Sequence, residues 1–281
     1  IVQAVSEVDL EIREGETVGL VGESGCGKTT LGQTIAGLMD PSNGKIKLSI
    51  SGQMREISNL PEQARRDVWQ HIRFVFQDPF ASLNPRMTVF EIVSESLRNG
   101  PSRIENRRLR QERVYQVLER VGLDPAQSDR YPHAFSGGQR QRIGIARALA
   151  PKPKIVIADE PVSALDVSVQ AQILNLFNDL QNDLGLTYLF VSHDLNVVSN
   201  ISDRVAVMYA GRIVEIAKTN QIYSSPRHPY TAALLAAVLT PEYKPNKSQR
   251  EPLQGHPPNL ANLPPGCSFA SRCSFASSNC H

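Results

Sequence analysis

Thr17-Val18-Gly19-Leu20-Val21 runs without a break into Gly22-Glu23-Ser24-Gly25-Cys26-Gly27-Lys28-Thr29. The first five residues have the apolar, partly β-branched make-up of a buried strand. The next eight match G-x-x-x-x-G-K-S/T, a loop built to wrap phosphates. After Thr29, Leu31, Ile35 and Leu38 recur at helical spacing, and Pro41-Ser42-Asn43-Gly44 is expected to end that helix. Strand, glycine-rich loop, helix is the entry to an α/β nucleotide fold. Glycines let the backbone curl until successive N–H groups point at phosphate oxygens, and the helix beginning near Lys28 adds the positive end of its dipole. Lys28 is expected to reach the β and γ phosphates, and Thr29 to offer its hydroxyl to Mg²⁺. Cys26 fills a variable position of the motif and reads as a small loop filler.

Working outward, Val8-Asp9-Leu10-Glu11-Ile12 alternates apolar and acidic residues, which predicts a half-buried strand turning at Glu14-Gly15-Glu16. Between Pro79 and Ala134 the pattern becomes helical, as in Val114, Val117, Leu118 and Val121, and predicts a helical insertion. Ile155 to Ala158 and Tyr188 to Val191 are short apolar runs of the kind that form buried parallel strands, with Leu174 to Leu184 as the crossover helix between them. The first of these runs ends in Asp159 and Glu160, and strand carboxyl ends are where open α/β sheets bind ligands. Asp159 suits the Mg²⁺ shell, and Glu160 is placed to orient and deprotonate an attacking water. Val205 to Met208 and Arg212 to Ile216 predict a closing hairpin around Tyr209-Ala210-Gly211.

Composition bounds the rest. The 281 residues are 41% hydrophobic, 21% charged and 6% aromatic, which excludes disordered and fibrous classes. Thirty basic against twenty-eight acidic side chains give a formal net charge of +2, too small a field for nucleic acid, so no nucleic-acid partner is expected. Arg103 to Arg113 also carries Glu105 and Glu112 and reads as a solvated helix face. The longest apolar run, Ala232 to Leu239, is far below the roughly 20 residues a spanning helix needs. Ile1 is not a methionine, and Ile1 to Asp9 lacks the blocks of a secretory signal, so the chain is expected to begin inside a longer one. From Pro241 onward, prolines at 245, 252, 257, 258, 264 and 265 predict an extension outside the core. Cys26 stands alone while Cys267, Cys273 and Cys280 cluster, which suggests a local site in a reducing compartment rather than a disulfide framework.

Phe135-Ser136-Gly137-Gly138-Gln139, followed by Arg140-Gln141-Arg142, resembles the signature of ATP-binding cassette (ABC) ATPases, with Phe135 in place of the usual leucine. Physically, Ser136 is a good N-cap, and the glycines allow a close approach of the following helix N-terminus to an anion. Gln77 in Phe76-Gln77-Asp78 looks like that family's Q-loop, Ser163-Ala164-Leu165-Asp166 its D-loop, and His193 in Val191-Ser192-His193-Asp194 its switch histidine. The resemblance covers nearly the whole chain. It implies a P-loop NTPase cassette with a RecA-like core, an antiparallel β-subdomain and a helical subdomain, plus an irregular C-terminal extension. The expected spans are 1–78 for the β-subdomain and first part of the core, 79–135 for the helical subdomain, 136–216 for the signature helix and second part of the core, and 217–281 for the extension.

In this family two cassettes meet head to tail, with ATP between the phosphate loop of one and the signature of the other. The resemblance therefore implies that Gly22, Glu23, Ser24, Gly25, Cys26, Gly27, Lys28, Thr29 and Thr30 bind nucleotide within one chain. It implies that Ser136, Gly137, Gly138, Gln139 and Asp166 serve the site completed by a second cassette. Glu160, His193 and Gln77 become the catalytic set, with His193 on the γ phosphate; Thr29, Gln77 and Asp159 become the Mg²⁺ set. The family's adenine-stacking aromatic lies upstream of the segment matching Val2 to Val5, so none is assigned.

The stretch from Gln77 through Asp78-Pro79-Phe80-Ala81-Ser82-Leu83-Asn84-Pro85-Arg86-Met87-Thr88, and Pro226-Arg227-His228-Pro229-Tyr230-Thr231-Ala232-Ala233-Leu234-Leu235, are similar to segments of oligopeptide, dipeptide and nickel importers. Pro264-Pro265-Gly266-Cys267-Ser268-Phe269-Ala270-Ser271-Arg272-Cys273 continues the match into the peptide importers' C-terminal extension, where some members hold a 4Fe-4S cluster. Cys267, Cys273 and Cys280 are its candidate ligands, His281 a candidate fourth, and free or packed thiols the alternative. This branch implies an ATPase powering peptide import from the cytoplasmic face of a membrane. Its partners would be a second cassette, two transmembrane permease subunits and a substrate-binding protein. A nickel-importer ATPase and a non-transport ABC ATPase are the alternatives.

Overall fold

The computed structural model describes residues 2–98, 102–237, 255 and 257–280. In chain order the elements are β1 (Thr17–Val21), α1 (Lys28–Ile35), β2 (Lys47–Ile50), β3 (Gln53–Glu56), α2 (Glu62–Trp69), β4 (Ile72–Val75), α3 (Val89–Ser94), α4 (Arg107–Arg120), α5 (Gly137–Leu149), β5 (Ile155–Asp159), α6 (Val167–Leu184), β6 (Thr187–Ser192), α7 (Leu195–Ile201), β7 (Arg204–Tyr209), β8 (Arg212–Lys218), α8 (Thr219–Ser224) and α9 (Pro229–Ala237). They divide into two units, Ile1–Leu31 with Leu189–His281, and Gly32–Tyr188.

In the first unit every residue of β1 is buried, as an apolar strand covered on both faces must be. It pairs in parallel with β7, Val18 opposite Arg204 and Val21 opposite Val207. Helix α7 lies hard against β1: a Cβ on Gly19 would sit 2.3 Å from a methyl of Val198. Strand β7 returns antiparallel as β8, with Tyr209 opposite Arg212. The turn between them has Ala210 at φ +46° and Gly211 at +84°, the paired left-handed geometry that matches the strands' twist. The hairpin predicted from the sequence is therefore present. Val8–Ile12 is not: the alternation of exposure survives there, but no ladder forms.

In the second unit β4 pairs in parallel with β5, Ile72 opposite Ile155 and Val75 opposite Ala158. Strands β2 and β3 form a separate antiparallel hairpin turning at Ser51 and Gly52, both with positive φ. Helix α1 stops earlier than Pro41-Ser42-Asn43-Gly44 suggests. Gly37 at φ +69° lets its own N–H bond Thr34 O at 3.1 Å and the Leu38 N–H bond Gln33 O at 2.9 Å. That is a Schellman stop, which satisfies the last carbonyls before any proline is reached.

Between residues 79 and 134 the regular elements are helical, α3 and α4 with short 3₁₀ turns. Thr88 and Glu91 close a capping box on α3, and the Asn106 side chain accepts from Arg108 and Leu109 N–H groups at the start of α4. Val114, Val117, Leu118 and Val121 are at most 1% exposed, so the helical spacing read there marks a core face. The arginine stretch is only partly the solvated face expected. Arg108 pairs with Glu112 at 3.0 Å and Arg103 with Glu105 at 3.2 Å, but Arg113 turns inward to donate to the carbonyls of Leu149 and Ala150 at the end of α5.

Helix α6 begins at Val167, seven residues before the predicted Leu174, and ends at left-handed Gly185. Its first turn escapes the apolar pattern because Val167 is 82% exposed. Among the described residues no helix is long and apolar enough to cross a membrane. Val238, Leu239, Pro241, Pro245, Pro252 and His281 lie outside the described residues.

Candidate functional site

The phosphate loop in the first unit is a backbone structure that tolerates only glycine at its pivots. Gly22, Gly25 and Gly27 have φ of +156°, +79° and +106°. A Cβ on Gly22 would meet the Met208 carbonyl oxygen at 2.1 Å, and one on Gly27 the Ala4 carbonyl oxygen at 2.1 Å. Lys28 opens α1 and is only 5% exposed; its Nζ donates to the carbonyls of Gly22 at 2.8 Å and Glu23 at 3.0 Å. The ammonium thus arches back over the loop it belongs to, the posture needed to meet phosphates wrapped by that loop. Cys26 is buried, and burial pushes its thiol above the usual range, which agrees with the filler reading. Thr29 is exposed and Thr30 half-buried on the first turn of α1. The donor set, curled amides with one lysine and one hydroxyl at a helix start, fits a magnesium-bound polyphosphate.

His193 follows β6 directly and is exposed. The next residue, Asp194, caps α7 by accepting from the Asn196 N–H at 2.8 Å, so the histidine is carried between a buried strand and a capped helix.

Glu23 has a setting that local sequence does not disclose. Its backbone N–H donates to the Tyr230 hydroxyl at 2.9 Å, and its carboxylate takes both arms of Arg272, at 2.7 and 3.0 Å. Arg272 is 4% exposed in its side chain, and the hydrogen bonds it donates to the Glu23 carboxylate are the largest cause holding its guanidinium above the usual arginine range. Phe269 is buried edge-on against Tyr209 at 5.2 Å and Tyr230 at 5.5 Å. Burial holds the Tyr230 phenol far above its ordinary range, so it stays protonated. The extension was expected to lie outside the core, and this part of it does not: the aromatic Phe269 finds an apolar seat between two tyrosines.

The second unit gathers the other half of the candidate residues. Asp159, at the end of β5, is 3% exposed. Glu160 follows at φ +44°, a left-handed conformation costing a non-glycine residue about 1–2 kcal/mol. The carboxylate of Glu160 accepts from Gln77 Nε2 at 2.8 Å, so two catalytic candidates far apart in sequence meet. The Glu160 carbonyl accepts from Ser163 N–H and Oγ, and the Gln170 amide donates to the carbonyls of Val162 and Leu165. The segment leading to Asp166 is thereby fixed as a turn before α6.

Ser136 and Gln139 form a reciprocal capping box at the start of α5. Gly138 is required by packing: a Cβ there would come within 2.5 Å of Val169 on α6. Gly137 faces Leu165 at 3.5 Å in the same test. The signature and the segment before α6 are therefore packed together. Arg140 lies over Phe80 at 4.2 Å and donates to Pro132 O, while Arg147 donates to Ser82 O, which ties the segment after Gln77 to the signature helix.

The cysteine expectation fares differently. The Cys267 N–H donates to the Cys280 carbonyl at 2.9 Å, but Cys267 is exposed while Cys273 and Cys280 are half-buried, and all are free thiols. Among the described residues no three His, Cys, Asp or Glu side chains are placed to hold a metal ion. The thiols do not fit a 4Fe-4S ligand set, and the further candidate His281 is not among the described residues.

The ABC transporter family profile matches residues 5–163. The chain belongs to the ABC transporter family. A second profile, the oligopeptide/dipeptide transporter C-terminal region, matches residues 214–280 of this cassette. The oligopeptide transport ATP-binding protein AppF of Bacillus subtilis is 51% identical over 281 residues, 99% of this chain and 84% of that protein. The protein named "Probable peptide ABC transporter ATP-binding protein y4tS" of Sinorhizobium fredii is 47% identical, covering 100% of this chain and 77% of its own. Among solved structures, the dimeric structure of MJ0796, a bacterial ABC transporter cassette, superposes with TM-score 0.68 at 31% identity, covering 77% of this chain and 90% of that one. The cbiO1 structure from Clostridium perfringens gives TM-score 0.68 at 28% identity, over 78% of this chain and 84% of its own. The cassette fold expected from the sequence is thus the fold present.

Proposed function

We propose that this chain is the ATP-hydrolysing subunit that powers peptide import through an ABC transporter. The observation that carries the proposal is the pairing, within this chain, of a cassette with a C-terminal region of the oligopeptide/dipeptide transporter type, together with relatives named for peptide transport. That region and those names favour peptides over nickel as cargo and transport over other cassette activities.

Lys28 and the amides of Gly22 to Thr30 hold the β and γ phosphates, and Thr29, Asp159 and Gln77 are the residues that would hold Mg²⁺, directly or through water. When bound, the metal would supply positive charge to offset that of the phosphate oxygens. Glu160 takes a proton from the attacking water as its oxygen bonds to the γ phosphorus and the bond to the ADP oxygen breaks. The Gln77 amide, donating to the same carboxylate, keeps it oriented. His193 contacts the γ phosphate. Ser136, Gly137, Gly138, Gln139 and Asp166 complete the site of a second cassette, and the paired cassettes drive two permease subunits fed by a substrate-binding protein. The chain itself works at the cytoplasmic membrane face. The four expected spans, 1–78, 79–135, 136–216 and 217–281, are the working division of labour among these parts.

The test is ATP turnover of the protein assembled with its permease subunits and binding protein in lipid, with and without peptide. Stimulation by peptide is the expected result. Stimulation by Ni²⁺ and not by peptide would move the assignment to the nickel branch, and absence of turnover under all conditions would overturn it.

A further inference from the structure

The C-terminal extension reaches the phosphate loop at Glu23, which is the loop's only acidic side chain. A carboxylate within a loop that binds a polyanion opposes that binding by simple Coulomb repulsion, and more strongly where water is partly excluded. Here the carboxylate faces a guanidinium in two-armed geometry at 2.7 and 3.0 Å, the strongest form of such a pair. Arg272 is in turn fixed. Its N–H donates to Phe269 O at 2.9 Å, its Nη1 donates to the Tyr209 hydroxyl at 3.4 Å, and Phe269 is wedged between Tyr209 and Tyr230. Tyr230 accepts the Glu23 N–H, so the loop's entry is held at both backbone and side chain by residues from α9 and the extension.

We infer that Arg272 is a positioning residue of the nucleotide site, neutralising Glu23 and holding the entry of the phosphate loop in its ATP-binding shape. The extension is then part of the ATPase and not merely an appendage to it. The inference rests on ATP being held at Gly22 to Thr30.

Its test is the ATP dependence of hydrolysis by the full-length protein in its assembled transporter, read as KM against kcat. Arg272→Met leaves Glu23 charged and unpaired and is expected to raise the KM for ATP about tenfold, with kcat at saturating ATP within about twofold. Adding Glu23→Gln removes the offending charge, so the double variant is expected to return to within about threefold of the parent. Arg272→Lys keeps the charge but loses the fork and is expected to fall between; it also serves if the methionine variant does not fold. An unchanged KM in Arg272→Met, or in Arg272→Lys where only that variant folds, would overturn the inference. So would a raised KM in Arg272→Met that Glu23→Gln does not relieve. Parent protein that neither binds nor hydrolyses ATP would sink the functional reading first, a different result from either.

Discussion

Glu160 combines two features that a structural carboxylate does not need: a left-handed backbone and a hydrogen bond from a glutamine eighty-three positions away. Strain held at the end of a buried strand fixes where the carboxylate points, and the Gln77 amide fixes its rotation. Glu160→Gln preserves size and hydrogen bonding while removing the basic oxygen, so hydrolysis is expected to fall by roughly 10² to 10⁴ fold with ATP binding retained. Near-normal turnover in that variant, measured by phosphate release, would remove Glu160 from the mechanism. The cysteines give a second residue-scale outcome. Burial raises the Cys26 thiol, whereas hydrogen bonds from Ser277 lower that of Cys280. Only the thiolate is alkylated, and its fraction at a given pH falls as the pKa rises. Iodoacetamide at pH 8 is therefore expected to modify Cys280 well before Cys26 in a peptide mass-spectrometric time course; the reverse order would contradict the buried setting of Cys26.

The elements differ in how plainly they were written. Strand β1, the loop and the start of α1 were legible because one short stretch sets burial, turn and helix start together. Strands β5 and β6 were legible as apolar runs, and the β7–β8 hairpin from its apolar arms around a Gly-containing turn. The β2–β3 hairpin was not, since β2 alternates over only four residues, Lys47 to Ile50, and β3 is exposed along its whole length with no period of two, and Val8–Ile12 shows that alternation without a pairing partner does not make a strand. Gly37 and Gly19 separate two causes of glycine requirement. At Gly37 the nearest atom to an added Cβ is 3.7 Å away, so Gly37→Ala meets only the left-handed backbone, about 1 kcal/mol. At Gly19 the methyl would collide with Val198 at 2.3 Å, and Gly19→Ala is expected to cost about 1–3 kcal/mol. Urea midpoints of the two variants test the ordering, and a larger loss at Gly37 would contradict the packing of α7 on β1.

At the scale of the whole molecule, motif reading reached the candidate site residues because each motif is local, but missed Arg272 on Glu23, whose partners are 249 positions apart with no local pattern to join them. The same limit applies to assembly. The signature presents a capped helix start, Ser136 to Gln139, and the chain's own phosphate loop already has its lysine, so on the proposed reading the signature serves a second copy or a related cassette. With hydrolysis blocked by Glu160→Gln, ATP and Mg²⁺ are expected to drive the protein to twice its 31.0 kDa mass, as read by sedimentation equilibrium, and ADP is not. Adding Gly138→Ala places a methyl 2.5 Å from Val169 Cγ1, pushing the first turn of α5 out of place and weakening that ATP-dependent dimer. Val169→Ala, which removes the obstructing methyl, is expected to restore part of it. If ATP leaves Glu160→Gln monomeric while still binding to it, the signature does not serve an identical chain, and the experiment repeated with a paralogous cassette from the same transporter becomes the decisive one. If Gly138→Ala dimerises as well as its parent, the close packing of α5 on α6 does not govern how the signature meets nucleotide.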